Sequence, residues 1–315
     1  RRSWQRLHAR MALFLMAAAL PLAGVLDDLS IAAQINLVLL PIALLGVLHG
    51  GADPWVGHSL LQRYAGFAAK RLFYIAYLSS MGIVLLLWWW LPMATLAAFL
   101  ALSVVHFGVQ DALTFGVPRR PLDLCILGAI PVLGPVVGNA ETVAVLFGWL
   151  AGVDPIALAD RLRWVARPLA CLWLIGIGMV VSRVALEQGP GRARRLALAV
   201  AVLVLVMTRL PPLIAFALYF CLLHSFGHLL EMATSRSGPW TRWTVRQWAM
   251  RLWPATLGAI SLGLVGALLL SAVDAAAAAP GAQQVRVLFW GLAALTVPHV
   301  LLHAAWARAA AGSRA

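Results

Sequence analysis

The stretch 213-LIAFALYFCLLHSFGHLLEMA-233 decides how the chain is to be read. It is about as long as the ~20-residue helix that crosses roughly 30 Å of hydrocarbon. Up to Leu230 it holds no acid, lysine or arginine, yet it carries His224 and His228 four residues apart. Outward from it, similar apolar blocks of about 17 to 23 residues recur along the chain, separated by short breaks bearing Arg, Pro or Gly. Of the 315 residues, 63% are hydrophobic and 11% charged, too few charges to clothe a water-soluble surface. The expected fold is all-α: one integral membrane domain over 1–315, a polytopic transmembrane bundle. Its ten spans fall at about 11–26, 31–49, 72–90, 92–112, 122–139, 168–186, 196–210, 213–233, 252–272 and 285–307.

A net charge of +13 suggests nucleic acid in a soluble domain, but here the arginines sit between apolar blocks and read as topology signals, with no nucleic-acid partner. Arg1, Arg2, Arg6 and Arg10 precede the first span, and Arg63, Lys70 and Arg71 follow the second, so both chain ends are expected in the cytoplasm of a cell (inner) membrane protein. Alternation then puts Arg119, Arg120, Arg192, Arg194, Arg195, Arg236, Arg242, Arg246, Arg251, Arg308 and Arg314 on the same side, against Asp27, Asp28 and Asp274 opposite. The apolar stretch 141–152 is short and is read as non-spanning or re-entrant, which leaves Arg161, Arg163 and Arg167 against the trend. The basic and apolar opening reads as an uncleaved first helix rather than a removed signal. Cys125, Cys171 and Cys221 have no CxxC spacing and read as small packing residues.

Six of the eight histidines, His49, His106, His224, His228, His299 and His303, fall in the second, fourth, eighth and tenth spans. All four of these run from outside to inside, so the six imidazoles share the cytoplasmic half of the membrane. One intramembrane histidine is commonly a hydrogen-bonded side chain at a helix interface. A layer of six asks for something that compensates them together, and a metal ion does so.

The motifs sharpen this. His49-Gly50-Gly51-Ala52-Asp53 and His106-Phe107-Gly108-Val109-Gln110-Asp111 each pair a histidine with a carboxylate about one turn on. Asp53 and Asp111 either accept a ring N–H and fix the tautomer, or merely mark helix ends. His224 and His228, at i and i+4, lie on one helix face. Glu231 is a further acceptor or an interfacial charge. His299 follows the helix-kinking Pro298 and is a ligand, a donor or a substrate contact. His303 lies closer to water and, with His58 and His8, receives no role. Phe107, Phe226, Tyr219, Trp55 and Trp290 are candidates to line a tunnel, while Trp88, Trp89 and Trp90 read as interfacial belt residues. Imidazole ligation alone admits zinc, copper, nickel or iron.

These linked motifs, His49-Gly50-x-x-Asp53, His106-Phe107-Gly108-x-x-Asp111, His224-x-x-x-His228 and Pro298-His299, resemble the Brp/Blh family of bacterial and archaeal membrane β-carotene dioxygenases. The resemblance runs from the second span to the tenth. It implies an Fe(2+) enzyme that uses O2 to split the 15,15′ double bond of β-carotene drawn from the bilayer, giving two all-trans-retinal for a microbial rhodopsin. By the same resemblance His49, His106, His224 and His228 would be the iron ligands. Pro54 stands where the family commonly has histidine, and Gly227 where a basic residue is common. Two other readings compete: an iron oxygenase acting on another carotenoid or a lipid, and a haem or metal carrier.

Overall fold

Proline sets many of the helix starts. Pro92, Pro121, Pro155, Pro190 and Pro212 each occupy the first turn of a helix, where the missing N–H costs nothing. Gly116 and Gly152 end two helices in the left-handed conformation that glycine adopts without strain. The computed structural model describes residues 2–234, 243–274 and 279–312. Arg1, Arg236, Arg242 and Arg314, used above to orient the chain, lie outside the described residues.

Among the described residues every element is helical. The rods are α1 (Trp4–Asp27), α2 (Ile31–Gln62), α3 (Gly66–Trp90), α4 (Pro92–Phe115), α5 (Pro121–Gly128), α6 (Ile130–Gly138), α7 (Ala140–Ala151), α8 (Pro155–Gln188), α9 (Pro190–Arg209), α10 (Pro212–Thr234), α11 (Arg246–Ser271) and α12 (Ala282–Ala309). Eight described helices are long and apolar enough to cross a membrane, and α5 with α6, bent by 43°, makes up to nine. Ten were expected. The tenth is α9, which spans 20 residues but spends its first turns on Arg192, Arg194 and Arg195. The 12 residues of α7 rise about 18 Å, short of the hydrocarbon thickness.

Two boundaries differ from expectation for a physical reason. The second span does not stop at His49: the helix tightens into a 3₁₀ turn over Val47–Ala52, and Pro54 restarts it, so His58 lies on a helix rather than in a loop. The expected sixth span, 168–186, is the latter part of α8, which begins at Pro155 and runs through Pro168, a residue a membrane helix tolerates when neighbours satisfy the freed carbonyl. Arg163 in its added turns pairs with Glu141 and Asp160, which neutralises one of the arginines that ran against the charge trend.

The bundle centres on α10. In its most apolar window 61% of residues are buried, against 6% for α11, whose Leu264, Leu268 and Leu269 face outward. Close backbone contact ties α4 to α5, since a Cβ on Gly108 would overlap the Leu124 carbonyl oxygen. Two ion pairs fasten α8 to the start of α5: Arg183 with the buried Asp123 at 2.8 Å, and Arg120 with Glu187 at 2.7 Å. Trp88, expected at the membrane interface, is buried and stacks on Trp290 with centroids 5.6 Å apart, whereas Trp89 and Trp90 are exposed.

Candidate metal centre

Two π-helical turns shape the site. One, Ile42–Gly46, precedes His49 in α2; the other, Tyr219–Ser225, contains His224 in α10. Such turns release carbonyls from the α-helical ladder and recur at functional sites. Here the Ser225 hydroxyl donates to the Leu45 carbonyl at 2.6 Å, and it also lies 3.0 Å from that of Gly46. The Cys221 thiol donates to Pro41 O at 3.5 Å, so the two turns are stitched together. The Gly46 carbonyl also accepts from His49 Nδ1 at 2.5 Å. That bond holds the proton on Nδ1 and leaves the Nε2 lone pair free.

The six intramembrane histidines meet in two adjoining triads. His49, His106 and His224 each bring a ring nitrogen within 4.8 Å of the others, and His228, His299 and His303 do the same. Across the junction, the His299 centroid lies 5.0 Å from that of His49 and 5.3 Å from that of His106. Asp53, itself buried, accepts from Tyr77 at 2.7 Å, from His299 Nδ1 at 2.9 Å and from His303 Nε2 at 3.3 Å. Both ring nitrogens of His224, Nε2 of His228 and Nε2 of His299 are buried without a hydrogen-bond partner. Each such group costs about 1–3 kcal/mol if left unmatched. An imidazole lone pair binds a cation, so the cluster fits a divalent transition metal.

Several expected residues stand elsewhere. His228, expected as fourth member of one set, groups with His299 and His303, because four residues carry it about 6 Å along α10 from His224. His303, given no role, is in that second triad. Asp111 bonds to no histidine. Five residues put it about 140° round the helix from His106, and it accepts instead from Tyr219 Oη at 3.0 Å. Phe226 points about 200° away from His224, is 56% exposed and stacks on His8. Glu231 is half-buried and in neither triad. Phe107 does meet the site, its ring edge-on to His224 at 4.8 Å.

A cavity of about 400 Å³ opens on the cluster, with His49, His106, His299, Asp53 and Tyr77 on its polar side. Its apolar walls include Phe73, Phe99, Phe216 and Phe220, none of which the sequence reading singled out. A smaller apolar cavity of about 80 Å³ adjoins it, sharing Phe99, Ser103, Phe107 and Phe216. Tyr219, Trp55 and Trp290 are not among the walls of either cavity. Tyr219 is wholly buried beside Phe107, and Trp55 bonds to Arg251 O.

Fold and site together define a multi-pass membrane protein with a buried histidine cluster, suited to a metal, at the wall of an apolar cavity. The chain belongs to the β-carotene 15,15′-dioxygenase family, whose model matches residues 40–307. It is 26% identical over 269 residues to a protein named β-carotene 15,15′-dioxygenase from uncultured marine bacterium 66A03, an alignment covering 83% of this chain and 90% of that one. It is 28% identical over 166 residues to the probable β-carotene 15,15′-dioxygenase Blh of Halobacterium salinarum, with 45% of each chain covered. No solved structure matches.

Proposed function

We propose that this protein cleaves the central 15,15′ double bond of β-carotene with O2, yielding two molecules of all-trans-retinal, and that its metal is ferrous iron. The observation that carries the reading is the junction of the histidine cluster with an aromatic-walled cavity inside the membrane bundle. Membership of the family and the names of the relatives support the substrate and the bond. When bound at His49, His106 and His224, iron would supply the activation of O2 that a closed-shell polyene lacks; zinc, having no redox chemistry, would not.

The chain's own residues do the rest. β-Carotene is already dissolved in the bilayer, so a cavity at this depth receives it without passage through water. Phe99, Phe216 and Phe220 offer flat apolar surface that holds the polyene in one register, and register decides which bond faces the cluster. The Gly46 carbonyl and Asp53 hold the ring protons of His49 and His299 on Nδ1, which keeps each Nε2 directed as a ligand. Phe107 closes the edge of His224 against water. The same reading takes the whole chain as one unit of the cell membrane with cytoplasmic ends, releasing retinal towards a rhodopsin.

The test uses purified protein in detergent with β-carotene. Retinal formation should stop when O2 is removed or when a ferrous chelator is added, and return on adding Fe(2+). Undiminished retinal formation after complete removal of iron would refute the assignment of the metal.

A further inference from the structure

Six imidazoles lie together, yet their nitrogens fall into two sets, each closed within 4.8 Å. We propose that the protein binds two metal ions side by side, one on His49, His106 and His224 and a second on His228, His299 and His303. The second takes a divalent first-row transition ion, and Asp53 is its counter-anion.

Three observations point to the second ion. The unpartnered buried nitrogens are divided between the triads, so an ion on the first triad alone leaves Nε2 of His228 and Nε2 of His299 uncompensated. Asp53 is engaged with the second triad, not the first: it touches His299 Nδ1 and His303 Nε2. A carboxylate that accepts a hydrogen bond from the Nδ1–H of a buried histidine orients Nε2 and raises its basicity, the arrangement that supports a metal-bound imidazole. Tyr77 donates to Asp53 at 2.7 Å, so this carboxylate is held firmly against the second triad.

This inference rests on the reading of the cluster as a metal centre, but it is tested by stoichiometry rather than by turnover. The full chain is purified in detergent, loaded with Fe(2+) without oxygen, desalted, and its total transition metal is measured by mass spectrometry. Two ions per chain are expected, falling to one in His303→Leu and, separately, to one in His106→Leu. A Co(2+) titration of metal-stripped wild-type protein, followed by visible absorption, should break at two equivalents, and it depends on no variant folding. One ion per chain with a break at one equivalent overturns the second site, even if β-carotene is cleaved normally. Two ions with no cleavage of β-carotene would refute the proposed activity and leave the second site standing.

Discussion

Replacing Asp53 by asparagine changes no volume but removes the charge at the heart of the cluster. Asp53 accepts from Tyr77 Oη at 2.7 Å, from His299 Nδ1 at 2.9 Å and from His303 Nε2 at 3.3 Å, and it is 1% exposed. Asparagine keeps one acceptor oxygen and turns its other corner into a donor, which faces N–H or O–H groups that also donate. The ring of His299 then loses its fixed tautomer. Loss of such a carboxylate behind a ligating histidine typically weakens metal binding 10- to 100-fold, about 1.4 to 2.8 kcal/mol. Competition against a chromophoric chelator in detergent measures the apparent affinity directly. Tyr77→Phe serves as the control, since it removes one neutral donor and leaves the charge, and its effect should be smaller. Affinity within about twofold of wild type in Asp53→Asn would refute the reasoning. So would an equal loss in Tyr77→Phe, which would make the effect one of packing rather than charge.

Other outcomes follow from single positions. His49→Ala and His224→Ala should each abolish retinal formation and lower bound metal, whereas Phe226→Ala, directed away from the cavity, should leave both near wild type; extraction of retinoids with metal analysis checks all three. Ser103→Phe would fill the wall shared by the two cavities, so turnover should fall at least tenfold, about 1.4 kcal/mol in barrier, while bound metal stays constant. Arg183→Ala strands the buried Asp123 and should cost about 3–5 kcal/mol, read as a lower unfolding temperature that Asp123→Ala in the same chain partly restores. Gly108→Val forces α4 away from the Leu124 carbonyl and should cost roughly 1–3 kcal/mol or more, visible as loss of monodisperse protein on size exclusion.

Much of this architecture is legible in sequence because lipid imposes simple rules. Block length gives the helices, and six histidines in four apolar spans give the cluster. What stays hidden is angular. The one-turn spacing of His49 with Asp53 and the five-residue spacing of His106 with Asp111 do not say which partner each carboxylate meets: Asp53, just past a 3₁₀ turn, reaches His299 and His303, whereas Asp111, on a regular helix, turns away from His106 to Tyr219. The same limit misdirects Phe226, which lies between two site histidines in sequence and on the opposite face in space. His303 looks peripheral near a chain end, yet Asp53, 250 positions earlier, draws it in. The two π turns leave no mark in composition, although they aim His49 and His224. Tyr77 was legible in principle, as a hydroxyl within an apolar span that must find a buried acceptor.

The activity itself is tested most directly by expressing the chain in a bacterial strain that accumulates β-carotene, then extracting pigments and retinoids for chromatography. Central cleavage predicts loss of the orange colour with retinal as the product. β-Carotene left intact in cells whose membranes contain the metal-loaded protein, or shortened to apocarotenals of unequal length, would contradict it.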